Sequence, residues 1–227
     1  MSIMLKGKIT EVFESFQGEG LYLGERQIFV RFFGCNLSCK FCDTKPDRFT
    51  EYSPEELFAR IKQHGNDFHS LAFTGGEPLL QKDFLKEIAI LTRRQGFRHY
   101  LETNGTLPEE LKEVIDLLDI IAMDLKLPSS TSLSELWEEH GRFLEIASRK
   151  EVFLKIVVCE STHEQDLHKA IALIKRTHQA VVLVLQPNSY EGINRLNKKL
   201  EDFKAISTDN SITTCIIPQV HKIAGLR

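Results

Sequence analysis

Short apolar runs of strand length alternate with segments of helical periodicity along most of this chain. The runs at residues 27–33, 70–74, 99–103, 120–125, 152–159, 180–185 and 213–217 are rich in β-branched, aromatic and aliphatic side chains, with polar or glycine clusters between them. Runs this short, punctuated this way, predict strands. Apolar positions at helical spacing predict helices over 54–61, 83–95, 109–118, 132–147, 164–177 and 193–206. The first of these carries its own start signal: Ser53 as N-cap, Pro54 at the first helical position, and Glu56 three residues after the serine.

No Ser/Gly/Pro-rich linker, low-complexity tract or internal repeat interrupts the alternation. Residues 1–227 are therefore expected to form a single domain built on one parallel sheet covered by helices. Most strand ends carry a chemically rich cluster: Gly75-Gly76-Glu77, Glu102-Thr103-Asn104-Gly105, Asp124-Leu125-Lys126 and Gln186-Pro187-Asn188. In barrels and open α/β sheets the ligand site lies at that edge. The pattern points to an open, partial TIM-like (β/α) barrel with its site at the C-terminal rim. Ordinary turn chemistry explains any one cluster more easily than all of them together.

Composition narrows the class. The 227 residues are 42% hydrophobic and 27% charged, which excludes disorder, a collagen-like repeat and a coiled coil as the main description. With 29 basic against 32 acidic residues the net charge is -3, so no overall basic field favours nucleic acid as a direct partner. Residues 1–8 lack a signal-peptide core, and an apolar run such as 180–185 is too short to span a bilayer. The expected setting is cytoplasmic and off the membrane. In such a reducing compartment, clustered cysteines are metal ligands or redox groups more often than disulfides.

The chain has five cysteines, an odd number that excludes a closed disulfide framework. Cys35, Cys39 and Cys42 give the spacing C-x3-C-x2-C just after the first strong strand run. Steps of four and three residues in a compact loop let three thiolates face one point. Zinc sites commonly use two C-x2-C pairs, or one pair with two histidines. No second pair is present, and recruiting His64 and His69 would leave Cys35 idle. Three soft ligands suit an iron–sulfur cluster, where three thiolates on a four-iron cube leave one iron open to a small molecule. A structural zinc with a fourth ligand elsewhere, or a chance grouping, is the bland alternative. Cys159 and Cys215 fall in apolar strand runs and read as small buried hydrophobes.

The cysteine spacing resembles the signature of the radical S-adenosylmethionine (SAM) superfamily. Around it, Ser15-Phe16-Gln17-Gly18-Glu19-Gly20, Phe29-Val30-Arg31-Phe32-Phe33-Gly34-Cys35-Asn36-Leu37-Ser38-Cys39 and Phe41-Cys42-Asp43-Thr44 strongly resemble the 7-carboxy-7-deazaguanine synthases. Thr74-Gly75-Gly76-Glu77-Pro78, Glu102-Thr103-Asn104-Gly105, Lys126 with Pro128-Ser129-Ser130, Gln186-Pro187-Asn188 and Pro218-Gln219-Val220-His221-Lys222 extend the resemblance over essentially the whole chain. The cysteines and Gly-Gly-Glu-Pro specify the superfamily; the Gln-Gly-Glu-Gly and Cys-Asp-Thr segments specify the synthases.

The resemblance implies a compact, modified partial barrel of the radical SAM type. It implies a lyase that converts 6-carboxy-5,6,7,8-tetrahydropterin to 7-carboxy-7-deazaguanine with loss of ammonia, on the 7-deazapurine route to queuosine in tRNA. Hydrogen would leave C6 of the pterin, the ring would contract, and hydrogen would return so that SAM is regenerated. The implied cofactors are a 4Fe-4S cluster, SAM and Mg2+. The implied partners are a second copy of the chain in a homodimer and an electron donor such as a flavodoxin or ferredoxin.

Site residues carry over position by position. By resemblance, Cys35, Cys39 and Cys42 hold the cluster, and SAM chelates the fourth iron. Gly75 and Gly76 let the backbone approach SAM, because no Cβ intervenes, and Glu77 accepts from the SAM ammonium. Lys126 pairs with the SAM carboxylate, whereas Asp124, on the same strand face, would repel it. Gln186 and Asn188 reach the adenine or ribose edge, Phe41 flanks the adenine, and Asp43 belongs to the SAM-contacting set. The Thr44 hydroxyl is a Mg2+ ligand at a site completed by substrate oxygens. Substrate residues are Gln17 and Glu19 with Phe16 and Gly18 beside them, Arg31, Thr74, His221 and the terminal Arg227. Gln and Glu side chains match the donors and acceptors of a pterin edge, and an arginine fork suits its carboxylate. Without the family, Arg31 reads as a solvent-facing charge and Thr44 as a turn residue.

Other readings compete. A radical SAM activase that makes a glycyl radical on a partner enzyme shares the cysteines and Gly-Gly-Glu, but Gln17-Gly18-Glu19 and Cys42-Asp43-Thr44 argue against it. A non-enzymatic iron–sulfur or zinc module leaves the strand-end clusters unexplained. An enzyme acting directly on tRNA is disfavoured by the net charge of -3. Residues 129–149, with the only tryptophan at Trp137, read either as a dimer or donor surface or as an ordinary amphipathic helix.

Overall fold

Strands and helices alternate in a computed structural model that describes residues 5–44, 46–177 and 180–225. In chain order they are β1 (Gly7–Phe16), β2 (Arg26–Phe32), β3 (Thr50–Tyr52), α1 (Pro54–Lys62), β4 (Ser70–Gly75), α2 (Lys82–Arg93), β5 (His99–Thr103), α3 (Pro108–Val114) and β6 (Ile120–Asp124). There follow α4 (Pro128–Thr131), α5 (Trp137–Ala147), β7 (Glu151–Val158), α6 (Glu164–Lys175), β8 (Val182–Pro187), α7 (Ile193–Asp209), β9 (Thr214–Ile216) and α8 (Val220–Ala224). Every strand run and helical segment expected from the pattern is present, most with ends shifted by a residue or two. At α1 the start signal acts as expected: Ser53 Oγ accepts from Glu56 N at 3.2 Å, and the Glu56 carboxylate accepts from Ser53 N at 2.7 Å.

Two expectations are corrected. The helix expected from residue 132 starts at Trp137, because Ser132 takes a left-handed conformation (φ 61°) that caps α4 and halts helical winding. The sheet is also not wholly parallel. Its order is β3-β1-β2-β4-β5-β6-β7-β8-β9; β2 through β9 pair in parallel, but β1 runs antiparallel to both β2 and β3. An irregularity between Ile9 and Glu11 interrupts the alternation of β1 and hides it from a periodicity reading. β3 and β9 form the two edges, so the barrel is open.

Side chains alternate across each strand, which gives the curved sheet two different faces. The outer face, with Phe32, Phe73, Leu101, Ile121, Leu154 and Leu185, packs against Leu57, Leu85, Phe143, Leu167 and Leu200 of the helices. The inner face has its own apolar floor, which includes Phe29, Ala72, Tyr100, Ala122, Phe153 and Val184. Burying each large side chain there stabilises the fold by about 2 kcal/mol. Two residues further along the same strands stand Arg31, Thr74, Glu102, Asp124, Lys155 and Gln186. Strand period alone therefore lifts a polar layer above a rigid apolar floor. Among the described residues, no helix is long and apolar enough to cross a membrane.

Candidate active site

The polar layer opens into a cavity of about 230 Å³ at the C-terminal strand ends. Its wall includes every residue expected at the site except Glu77 and Arg227. Arg227 lies outside the described residues.

The cysteines sit on the loop that leaves β2. Cys35 is exposed, Cys42 half-buried and Cys39 buried. Few bonds shape the loop: Cys42 N donates to Cys39 O at 3.1 Å, and Lys40 N to Thr131 O at 3.0 Å. Asn36 anchors its start, donating to Thr106 Oγ1 at 2.9 Å and accepting from Asn104 Nδ2 at 2.8 Å. Burial pushes the Cys35 and Cys39 thiols up, and the Lys126 ammonium partly offsets this. Among the described residues, no three Cys, His, Asp or Glu side chains form a single-ion site. A polynuclear cluster does not demand a single-ion site, since each thiolate takes its own iron.

The Gly-Gly turn holds this loop down. A Cβ on Gly76 would lie 1.9 Å from Gly34 O, so glycine is required here for the chain's own packing, at the residue before Cys35. Both glycines also border the cavity. Glu77 differs from its expected role. It is fully buried beneath the turn, where its carboxylate accepts from Leu79 N at 3.1 Å, Asn104 N at 2.7 Å and Thr103 Oγ1 at 2.9 Å. Burial nevertheless pushes it up to about 7. The structure makes Glu77 an internal brace for the β5 end and does not bring it into the cavity wall.

A chain of alternating charges crosses the cavity. Lys126 Nζ lies 3.0 Å from Asp124 Oδ2 and 5.8 Å from the centre of the Phe41 ring. Asp124 Oδ1 lies 3.5 Å from Lys155 Nζ, which in turn donates to Glu19 Oε2 at 2.5 Å. Glu19 Oε1 accepts from Gln219 Nε2 at 2.7 Å, with His221 Nδ1 at 3.9 Å. Burial opposes charge on both acids, but Lys126 and Lys155 outweigh it, so Asp124 and Glu19 are held below the usual carboxylate range. Asp124 therefore serves as the partner of two lysines, and the repulsion expected from its charge is absorbed by them.

Gln17 and Thr74 are committed to the scaffold. Gln17 Nε2 donates to Gln27 Oε1 at 3.0 Å and to Glu102 Oε1 at 2.9 Å, while Gln17 Oε1 accepts from Glu19 N at 3.1 Å. Thr74 Oγ1 donates to Glu102 Oε2 at 2.6 Å. Arg31 stands on the inner face and is not a free solvent charge: its Nε donates to Glu11 Oε1 at 2.7 Å. Gly18 makes room for His221, since a Cβ there would lie 2.4 Å from His221 Nδ1. Thr44 Oγ1 donates to Asp43 Oδ1 at 3.1 Å, and Asp43 forms an ion pair with Lys222.

Glu102 and Asn104, from a strand end already read as part of the rim, border the cavity, as do Lys155 and Gln219, to which the sequence reading gave no site role. Lys155 had a readable signal, a lone charge inside the apolar run Val152-Phe153-Leu154-Lys155-Ile156-Val157. His140 gave none. It is buried on α5, where Nδ1 bonds Gly105 O at 3.0 Å and Nε2 accepts from Lys126 N at 3.2 Å, tying two strand ends together. Cys159 does more than pack, since it accepts a bond from Asn188 Nδ2 at 3.3 Å. Cys215 is half-buried and packs against the inner floor.

This donor set fits a cluster with an open iron and an amino-acid ligand beside it. Three thiols supply soft ligands. Lys126 supplies a cation in the wall, and the buried Oε1 of Gln186 has no hydrogen-bond partner among the described residues, so it can accept from a ligand donor.

A sequence model of the Radical SAM superfamily matches residues 29–157. Together with the open barrel and the cysteine loop, this places the chain in the radical SAM superfamily, whose members use a 4Fe-4S cluster and SAM. The 7-carboxy-7-deazaguanine synthase of Geobacter sulfurreducens is 35% identical over 96% of this chain and 97% of that protein. The one from Archaeoglobus fulgidus is 34% identical over 98% of this chain and 100% of that protein. The chain belongs to the 7-carboxy-7-deazaguanine synthase family, radical SAM lyases of 7-deazapurine biosynthesis. The activase alternative is not favoured. Among solved structures, QueE from Escherichia coli matches with a TM-score of 0.64 at 22% identity, over 93% of each chain. A structure of TYW1 with a lysine-pyruvate adduct bound matches at 0.58 and 15% identity, over 81% of this chain and 73% of that one. These two likenesses bear on the fold alone.

Proposed function

We propose that the cavity binds 6-carboxy-5,6,7,8-tetrahydropterin and converts it to 7-carboxy-7-deazaguanine with loss of ammonia. The observation that carries this reading is that one cavity wall holds both the three cysteines and the polar set of Gln17, Glu19 and Arg31. Cys35, Cys39 and Cys42 would hold the cluster. Lys126 would meet the SAM carboxylate, with Gly75, Gly76, Phe41 and Asp43 beside it and Gln186 and Asn188 at the adenine or ribose. When bound, cluster and SAM supply the hydrogen abstraction and its return.

The chain's own residues do the rest. Glu19 accepts from the amino-pyrimidinone edge, on a loop that Gln17 and Gly18 keep in shape. Arg31 offers its guanidinium to the carboxylate, and Thr74 holds Glu102 in the wall. Phe16 and His221 border the same end. The apolar floor beneath excludes water, which protects reactive species. The same reading includes Mg2+ at Thr44, Arg227 near the substrate, and one radical SAM core domain over residues 1–227. It also includes a homodimer, a flavodoxin or ferredoxin as reductant, and a cytoplasmic setting.

The test is anaerobic reconstitution with iron and sulfide, then incubation with SAM, a reductant and the carboxypterin, with and without Mg2+. The expected result is a deazaguanine chromophore without proportional consumption of SAM, and a Mg2+ response that Thr44→Ala weakens. Cleavage of SAM with the pterin unchanged would overturn the reading.

A further inference from the structure

Lys155 is the charged residue inside the apolar run of β7. It stands on β7 between Phe153 of the floor and the cavity, its side chain only 6% exposed. Burying an ammonium is costly unless it is paired, and here two carboxylates share it: Glu19 at 2.5 Å and Asp124 at 3.5 Å. Asp124 has a second lysine in Lys126, whereas Lys155 is the lysine nearest Glu19. Glu19 also meets the neutral amide of Gln219 and His221, both from the C-terminal segment, and feels the charge of Asp124. Glu102 of β5 adds further negative charge near Lys155.

A carboxylate oxygen accepts two hydrogen bonds, so each Glu19 oxygen keeps capacity beyond its protein partner. Glu19 borders the cavity and can offer that capacity to a ligand while it stays ionised. A protonated Glu19 would instead present an O–H and meet an N–H donor with another donor.

We propose that Lys155 is a positioning residue: it fixes Glu19 as a hydrogen-bond acceptor, and thereby selects ligands whose heterocyclic edge presents paired N–H donors. The proposal rests on the pterin reading above and deepens it. Without the lysine, the half-buried Glu19 keeps its desolvation cost and the nearby charge of Asp124 with no lysine paired to it, so its carboxyl is pushed up and takes a proton more readily. The substitution then makes ligand binding require release of that proton. Affinity should rise with pH by about tenfold per pH unit until Glu19 ionises.

The experiment is anaerobic titration calorimetry of the carboxypterin into unreduced holoenzyme with SAM bound, so that no turnover occurs, from pH 6 to 9. Wild type is expected to bind with a shallow profile. Lys155→Met should bind at least about tenfold more weakly at pH 6 and recover toward pH 9, with a proton released on binding seen in buffers of different ionisation enthalpy. His221→Gln added to Lys155→Met should leave that recovery in place; its disappearance would assign the response to His221 and overturn the proposal. The double variant Glu19→Gln/Lys155→Met removes acid and lysine together. It should regain the thermal stability lost in Lys155→Met and bind weakly at every pH, which keeps the test open if the single variant folds poorly. Wild-type affinity in the double variant, or a shallow profile in Lys155→Met, would overturn the role of Lys155. Failure of wild type itself to bind the pterin would instead overturn the substrate reading.

Discussion

The cysteine loop and the strand ends beneath it are built on opposite rules. Residues 33–44 have no regular secondary structure, and a handful of hydrogen bonds set their course. The strand ends are braced from within: Glu77 takes bonds from Leu79, Thr103 and Asn104, and His140 ties Gly105 to Lys126. On the loop, side-chain identity is everything, because thiols bring the reagent. Beneath it, identity matters through partnership, because a buried charge must find its counter-group or neutralise. The site thus separates what does the chemistry from what aims it.

The largest expected effect breaks the loop alone. Cys39→Ala should abolish the iron–sulfur absorbance and reduce turnover to background, while stability in urea changes by about 1 kcal/mol or less. Absorbance spectroscopy, product assay and a denaturation curve on one preparation check all three. Retained turnover would show that the cysteine loop does not hold the reagent.

The same contrast explains what the sequence made legible. The loop was readable because Cys35, Cys39 and Cys42 report their chemistry by spacing alone. The inner polar layer was half readable: Arg31, Thr74, Asp124 and Gln186 were singled out, but no one-dimensional pattern says that Lys155 meets Glu19 or that Asp124 meets two lysines. Gln17, expected at the substrate, borders the cavity while its amide N–H groups bond Gln27 and Glu102, pairings that no one-dimensional pattern reveals. Glu77 went beneath the turn because Leu79, Thr103 and Asn104 offer it donors there. In the fold, the parallel strands were legible from apolar runs, whereas β1 was not, because its register shift and mixed charges mask strand period. The three-residue β3, Thr50-Glu51-Tyr52, carries no apolar run to register, and the five-residue α8 is too short for helical periodicity.

A second prediction sharpens the account of the braces, since two of them titrate with opposite sign. Glu77 sits at about 7 against an ordinary 4.5, because burial disfavours its charge. His140 sits at about 4 against an ordinary 6.5, for the same reason. Between pH 4.5 and 7 unfolded Glu77 has lost its proton while folded Glu77 keeps it, so its contribution to stability falls as pH rises. Between pH 6.5 and 4 unfolded His140 gains a proton that the folded residue refuses, so its contribution falls as pH drops. Each span of about 2.5 pH units is worth about 3 kcal/mol. Over this range the two nearly cancel in the wild type. Glu77→Gln should reveal stability that rises with pH, and His140→Gln stability that falls. Urea denaturation of the cluster-free variants from pH 4.5 to 7 reads both slopes; two unchanged profiles would mean that neither brace is buried as described.

The smallest effect concerns the segment that spans the open side of the barrel. After β9 the chain returns toward the end of β1: Val220 N donates to Gly18 O at 2.9 Å, Gln219 reaches Glu19, and Lys222 pairs with Asp43 and donates to Ser189 Oγ at 2.9 Å. None of the residues of α8 is buried. This segment is held as the cysteine loop is, by polar contacts at the surface, although it touches the braced end at Glu19. Lys222 and Asp43 remain 30% and 32% exposed, so water screens their attraction, and Lys222→Met should cost only about 0.5 kcal/mol. At about 1 M salt, where the Debye length shrinks to about 3 Å, the difference between variant and wild type should vanish. Hydrogen exchange should nonetheless quicken at residues 219–224 and stay slow in β6 and β7, because the lost contact opens the segment locally without reaching the core. A global loss above about 2 kcal/mol would place the segment with the braced strand ends, since only a buried pair costs that much to break.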